Sequence, residues 1–524
     1  MRFTANLALA LTLGLRAAAD VLPGLPTVPY TTTGGTLSSN FFKRIIVDEQ
    51  FADAVDDKGE TLIPPTLLSF AETFSEDLAS VLNLSIPVTT GTAAEQGSIF
   101  LTLDEDASKF KDAAGRETSE GYALNVTIDG VRITAASPLG AWWGTRSVLQ
   151  QMVLGDGAVE LGYGVDSPGW GTRGMMLDIA RHYFPPSFLI EMCAYMSFFK
   201  QNTFQLHLSD NLYNNVAIYS RERQLSLYAA FRLLSDDPAL AGLNKRANES
   251  YTREVFDDVQ AKCAARGVTI LPEIEAPGAG DLAVEGESGA EQRFETVECV
   301  EPRDDPGHAG YLGGFPAVVS DEDGEALVGE YTRFVDSMND YITSTSGKKV
   351  RIWGTFSPSS GGDVNKSVSI QHWANFEANP LFDFVNNGYA VLNSGDYIYT
   401  VGKWSEWYGH ELSLDFIFHG SLDGTAFAPN VFDRENATNN AARDSPALLG
   451  HIAPQWNDFG PNATTVTEAY QGRDGLPALA DKQWGGEVAE EAYGGLFGKL
   501  QPAAPGQNLD RRISSVGATI VEPI

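Results

Sequence analysis

Basic residues are scarce: 36 Lys and Arg stand against 69 Asp and Glu, for a formal charge of −33. Such a chain is repelled by nucleic acid and by anionic membrane surfaces, so neither is an expected partner. The excess acid reads as a solubilising surface. Cysteine is rarer still, with Cys193, Cys263 and Cys299 alone. They show no metal-ligand spacing, and no metal is expected. Cys193 falls in an apolar helical stretch and is expected as a buried core residue. Cys263 and Cys299 are candidates for a disulfide in an oxidising compartment. No glycine-rich loop suited to cradling a phosphate or a dinucleotide is present, so no cofactor is expected. Past the N-terminus, no apolar run reaches the roughly eighteen residues of a spanning helix.

The N-terminus itself carries a targeting pattern. Met1-Arg2 is a basic start, Ala5–Leu15 an apolar core, and Ala17-Ala18-Ala19 a small-residue cleavage region. Residues 1–19 are therefore expected to be a secretory signal peptide, and the mature protein to be soluble and extracellular. Six Asn-x-Ser/Thr triplets agree with export: Asn83, Asn125, Asn248, Asn365, Asn436 and Asn462. With 524 residues, 43% of them hydrophobic, the chain can bury a large core and is expected to form at least two domains.

The first of these spans 20–160 and is α/β. Residues 20–40 are rich in Pro, Thr, Gly and Ser and read as an irregular lead-in. Lys43–Val47 and Gly97–Leu103 look like strands, and Pro65–Leu82 and Ala141–Val153 like helices. Gly121–Ile128 and Gly130–Ala136 alternate apolar and polar residues around Asp129-Gly130 and read as a hairpin. Few side chains suited to catalysis occur here, so the domain is expected to be supporting.

From 165 to 500, strand-like and helical runs alternate, with a tail at 501–524. The strand candidates are Gly174–Ile179, Thr203–Leu208, Val268–Ile274, Pro316–Ser320, Lys349–Trp353, Ser367–His372, Tyr389–Asn393 and Leu448–Ala453. Helical stretches such as Tyr251–Arg266, Leu327–Thr345 and Thr464–Ala480 lie between them. This is the pattern of a (β/α)8 TIM barrel. The stretch Trp170–Asp210 is a complete β-α-β unit, with Arg173 just ahead of its first strand and His207 and Asp210 at the end of its second.

Barrel enzymes keep their chemistry at the C-terminal ends of the strands. Asp321-Glu322 follows the fourth run there. Trp353 ends the fifth, and Trp373 and Trp456 follow the sixth and eighth. Carboxylates, aromatic walls and an arginine suit a sugar, whose C–H faces pack on indole rings and whose hydroxyls need charged or bidentate partners. Arg173, Asp210 and Asp458 complete the candidate set. Arg181 and His182 read either as a salt-bridge network at the barrel top or as substrate contacts.

These motifs resemble glycoside hydrolase family 20, the β-N-acetylhexosaminidases. Arg173 to Phe184 resembles the family's Arg-Gly-x-x-Leu-Asp-x-x-Arg-His-x-Phe strand, and His207-Leu208-Ser209-Asp210 its second strand end. Ile270 to Gly278 resembles the third-strand motif. Glu120 to Leu124, Gly130 to Ile133 and Gly140 to Gly144 resemble the family's N-terminal domain. RIWGTF, IQHWANF, APQWNDFG and ALADKQWGG, within 327–484, look like a fungal secreted branch.

The resemblance implies release of terminal β-linked N-acetylhexosamine from chitin oligomers or glycans, with retention and with the substrate's own 2-acetamido oxygen as nucleophile. It makes Glu322 the general acid/base and Asp321 the residue that orients the acetamido group. Arg173 would grip the outer hydroxyls, and Trp353, Trp373 and Trp456 would box the sugar. Tyr399 would hydrogen-bond the acetamido oxygen, and Asp458 would take the place of a hydroxyl-binding glutamate. Asp210 would partner a histidine that the family has after Pro-Gly, where this chain has Ala279. The histidine and glycine ahead of the family's Asp-Glu are here replaced, with Ala317 at the histidine position, and Val401 stands for an aspartate. These departures keep a second reading open: a family member with impaired catalysis that acts as a carbohydrate-binding protein.

Overall fold

The computed structural model describes residues 21–210, 231–243, 246–274, 321–354, 363–375, 378–401, 408–457 and 475–506. The expected signal segment 1–19, the run Pro316–Ser320, Ala279, Ala317, Cys299, Asp458 and Asn462 lie outside them.

The alternating runs of the first domain pair as the predicted hairpin, Tyr122–Thr127 against Gly130–Ala135. Gly130 turns it at φ +151, where an added Cβ would sit 2.4 Å from the Ser98 carbonyl oxygen. The hairpin lies within a seven-stranded mixed sheet. Its order is Thr31–Ser38, Ala158–Asp166, Tyr122–Thr127, Gly130–Ala135, Ser98–Leu103, Arg44–Asp48, Val88–Gly91. Helices Leu67–Leu82 and Pro138–Leu154 begin at the capping side chains of Thr66 and Ser137. They pack together through stacked Phe70 and Trp142 and the buried Arg146–Asp77 ion pair at 2.5 Å. The lead-in is not irregular throughout. Thr31–Ser38 is an edge strand pairing with Ala158–Asp166. Its side chains are almost all exposed, so it carries no apolar alternation to reveal it.

The second domain is a curled sheet of parallel strands. Thr269–Glu273, Thr203–His207, Thr172–Asp178, Leu448–Trp456, Val391–Asn393, Ser369–His372 and Arg351–Trp353 follow one another in space. This is the third, second, first, eighth, seventh, sixth and fifth strand of a TIM barrel, all parallel. The fourth predicted run, Pro316–Ser320, lies outside the described residues. A short strand, Thr400–Val401, pairs with the end of the eighth. Neighbouring strands approach closely at Gly450, φ +139, where a Cβ would lie 1.9 Å from the Thr172 carbonyl oxygen.

Cys193 is buried in the core, as expected, but it is not a free thiol. It is bonded to Cys263, with an S–S distance of 2.03 Å, and so joins helix Pro186–Phe198 to helix Arg253–Ala264. A Cys263–Cys299 bond is therefore excluded. The two helices pack against each other, a proximity that sequence spacing does not reveal. The bridge closes a loop with a sequence separation of 70. Replacing both cysteines by alanine is expected to lower the unfolding free energy by about 4 kcal/mol, from the entropy returned to the unfolded chain. Urea unfolding of the two proteins, compared at equal m-value, measures it.

Candidate active site

A polar layer crosses the barrel interior below its C-terminal mouth. Gln205 Nε2 donates to Glu273 Oε2 at 2.6 Å, and Gln371 Nε2 donates to Gln205 Oε1 at 3.0 Å and Ser394 Oγ at 2.9 Å. Ser394 Oγ donates in turn to the Ile452 carbonyl at 2.8 Å. The pleat alternates side chains between barrel interior and exterior, so one residue per strand supplies this layer. It holds five of the described strands in register beneath whatever binds above.

Directly above lies a charged cluster. His207 Nε2 is 2.6 Å from Asp210 Oδ2. Glu273 Oε1 lies 3.0 Å from Nδ1, a close charge contact whose geometry is not that of a hydrogen bond. Burial alone would push the imidazole down, but the Glu273 carboxylate and the bond to Asp210 outweigh it and raise its pKa well above the ordinary value. Burial would likewise raise Glu273. The neighbouring imidazolium, the Trp353 indole and the Gln205 amide instead hold it below the ordinary carboxylate value. Asp210 also receives Arg181 Nη2 at 2.5 Å. Asp178, the last residue of the first strand, orients Arg181 by accepting from its backbone N–H at 3.0 Å and its Nη1 at 2.8 Å.

Aromatic rings wall the cluster. Trp353 Nε1 donates to Glu273 Oε1 at 2.6 Å, and its ring is 5.7 Å from that of Trp456. Trp456 packs edge-on to His207 at 5.0 Å, lies under the Arg181 guanidinium at 5.8 Å and is 6.1 Å from Tyr399. Tyr399 stacks on Trp373 at 6.5 Å and 13° and touches Tyr408 at 5.6 Å. Burial raises the Tyr399 pKa well above the ordinary value, leaving a neutral phenol that can donate. Rings that pack on C–H faces thus meet charged groups that bind hydroxyls, the chemistry a sugar asks for. Among the described residues, no group of three or more His, Cys, Asp or Glu is arranged to hold a metal ion.

Asp210, Trp353, Trp373, Tyr399 and Trp456 are therefore brought together. Arg173 is not among them. It sits near the start of the first strand, at the opposite end of the barrel, fully buried. There it pairs with Glu120 at 2.5 Å and donates to the carbonyls of Trp170 and Lys200. Buried at the start of the strand and turned to Glu120 and these carbonyls, it is out of reach of a sugar bound at the C-terminal strand ends. Arg181 is the cation of the site, and Glu273 its unforeseen carboxylate. Both stand at strand ends in the sequence, where barrel sites are found. Asp321 and Glu322 open helix Asp321–Ser346, which starts ahead of the predicted Leu327. Their side chains lie outside the described part of the structure. His182 packs edge-on to Phe184 at 5.0 Å, and burial, with the Arg232 charge, pushes its pKa down to about 4.

Parts of the chain match a known family. Residues 170–305 match the model of the glycosyl hydrolase family 20 catalytic domain, and 61–162 that of domain 2 of the same family. The chain is 33% identical over 168 residues to a beta-hexosaminidase of Vibrio furnissii, covering 31% of this chain and 27% of that protein. With a beta-N-acetylhexosaminidase of Cellulomonas fimi it shares 28% over 400 residues, covering 70% and 74%. The chain spans only about a quarter to a third of the length of the first curated relatives it matches. The family 20 beta-N-acetylhexosaminidase of Streptomyces coelicolor superposes with a TM-score of 0.58 at 19% identity, covering 93% of this chain and 97% of that one. A mutant Streptomyces plicatus beta-hexosaminidase in complex with product (GlcNAc) superposes at 0.59 and 18%, covering 94% and 97%. At these identities the structural likeness is one of fold.

Two outcomes are expected from the geometry. Arg173→Met, which strands the buried Glu120 carboxylate, should destabilise the protein by about 3–5 kcal/mol in denaturant unfolding. The second concerns pH. His207 titrates above its ordinary 6.5, so its contribution to stability is complete below that pH and is lost as pH rises through the folded value. Glu273 titrates below its ordinary 4.5, so its contribution is complete above that pH and is lost as pH falls through the folded value. Glu273→Gln should therefore lower the His207 pKa, read from imidazole nitrogen shifts, and move the alkaline loss of stability to lower pH.

Proposed function

We propose that this chain is a secreted, exo-acting β-N-acetylhexosaminidase that releases terminal β-linked N-acetylhexosamine from chitin oligomers or glycans. The observation that carries this reading is the site itself: Trp353, Trp373, Tyr399 and Trp456 around Arg181, Asp210 and Glu273, at the C-terminal ends of barrel strands in a family 20 domain. The names of the curated relatives, beta-hexosaminidases, and the product GlcNAc in the Streptomyces plicatus complex support the substrate class. The secreted and fungal character rests on the leader and on the blocks within 327–484.

In this reading the substrate's acetamido oxygen attacks its own anomeric carbon, so no protein nucleophile is needed. Glu322 protonates the departing oxygen and later deprotonates water. Asp321 orients the acetamido N–H and stabilises the charged ring intermediate. Tyr399 donates to the acetamido oxygen, and Trp353, Trp373 and Trp456 pack on the methyl group and ring. Arg181, fixed by Asp178, takes the hydroxyl-gripping role that the resemblance gave to Arg173. Asp458 is a further hydroxyl ligand in this scheme.

Hydrolysis of an aryl N-acetylglucosaminide tests the reading. Glu322→Gln should lose at least about 100-fold in kcat, the usual contribution of a general acid. Arg181→Met should raise KM while Arg173→Met leaves the KM of the folded fraction unchanged. Equal rates for wild type and Glu322→Gln would remove Glu322 from the mechanism. Binding of N-acetylglucosamine-thiazoline with no turnover by the wild type would instead identify a carbohydrate-binding protein.

A further inference from the structure

The outer face of the first domain's sheet presents an arrangement that the sugar site does not use. Asn125 lies within the strand Tyr122–Thr127 and is exposed, as is Thr127 two residues on. Residues two apart on a strand share a face, so the amide and the hydroxyl of Asn125-Val126-Thr127 point to solvent together. On one side Asn125 is in register with Arg132, whose guanidinium leans away over the Phe100 ring at 4.8 Å. On the other side its register partner is Tyr163, which is 57% exposed. Val165, opposite Ala123 on the same face, is 49% exposed.

The exposure of Tyr163 has a local cause. It stands between Gly162 and Gly164, where an added Cβ would meet the ring of Tyr30 at 2.6 Å and 3.1 Å respectively. Tyr30 is buried against that inner face, and strand alternation turns Tyr163, between the two glycines, to the outer one. An exposed aromatic ring directly opposite a glycosylation triplet is a stacking platform. Directly opposed residues hold their Cβ atoms about 4.5–5.5 Å apart, within reach of a first sugar on Asn125. Asn83, Asn248, Asn365 and Asn436 are also exposed, but none lies in a strand.

We infer that Asn125 carries an N-linked glycan whose first N-acetylglucosamine packs on Tyr163 and covers the apolar patch with Val165. The inference rests on the reading that the chain is exported. The co-reactant is a lipid-diphosphate-linked oligosaccharide. Asn125 Nδ2 forms a bond to the sugar C1, the C1–O bond to the diphosphate breaks, one amide proton leaves, and the lipid diphosphate departs.

The test is peptide mapping of the full chain secreted from a yeast host, before and after enzymatic deglycosylation. Asn125 should be found converted to Asp on glycan removal, and Thr127→Ala should abolish the change at Asn125 alone. Deglycosylation should lower the melting temperature of wild type and lower it less in Tyr163→Ser, which separates stacking from mere attachment. An unmodified Asn125 beside modified Asn83, Asn248, Asn365 or Asn436 overturns the site while leaving export intact. Secretion with no modified asparagine overturns the site by itself. Failure of the chain to leave the cell overturns it together with export. Equal melting shifts in wild type and Tyr163→Ser overturn the packing.

Discussion

The contact on which the two domains depend is the buried ion pair between Glu120 and Arg173. A charge taken out of water is tolerated only when its partner and its remaining hydrogen-bonding positions are supplied. Glu120 supplies the partner from the first domain and is itself held by the Trp143 indole at 2.8 Å and the Asn202 amide. The rest of the surround comes from the barrel: the carbonyls of Trp170 and Lys200, and the Trp484 ring under the guanidinium at 4.8 Å. Lys200 repeats the device, reaching Asp166 at 3.1 Å and the Tyr122 hydroxyl at 2.7 Å. Two cations from the barrel thus end on acids of the first domain. The N-terminal end of the barrel is closed by this interface, and the C-terminal end is left for chemistry.

Closure at one end explains the character of the other. The Gln205–Glu273–Gln371–Ser394 layer is a set of neutral amides and one hydroxyl gathered around a single carboxylate. That carboxylate is buried and would be costly alone. It is ionised because His207, Trp353 and Gln205 all favour the charged form. Glu273 therefore fixes the Trp353 indole through its N–H and balances the imidazolium that Asp210 orients. The wall and the floor of the site share one electrostatic cause.

Much of this fold could be read from the residues. Seven of the eight barrel strands proposed from apolar runs with polar ends are strands in the structure, and the remaining one, the fourth run Pro316–Ser320, lies outside the described residues. The hairpin was legible because its alternation is the strand period itself. What could not be read has physical reasons. Thr31–Ser38 buries almost nothing, so pairing alone makes it a strand. The Cys193–Cys263 bond depends on which helices lie side by side, which no local pattern states. Of the site, the aromatic members and Asp210 were legible because they stand at strand ends. Glu273 stands at one too, but was read as part of an extended motif rather than as a side chain facing the barrel axis.

The separate positions of Arg173 and Arg181 follow from strand geometry. The strand runs from Thr172 to Asp178, so Arg173 and Asp178 are separated by five steps of about 3.3 Å, or about 16 Å along the barrel wall. One arginine must then lie at each mouth. At the N-terminal mouth, buried at 0% exposure and enclosed by carbonyls, a guanidinium can only be structural. At the C-terminal mouth, Arg181 is held by Asp178 and Asp210 while its face lies over Trp456. Asp178 ties the C-terminal mouth together: its carboxylate sets Arg181, and its backbone accepts from Asn457, just past Trp456 at the end of the eighth strand. The same strand therefore docks the first domain with one end and orders the candidate sugar site with the other.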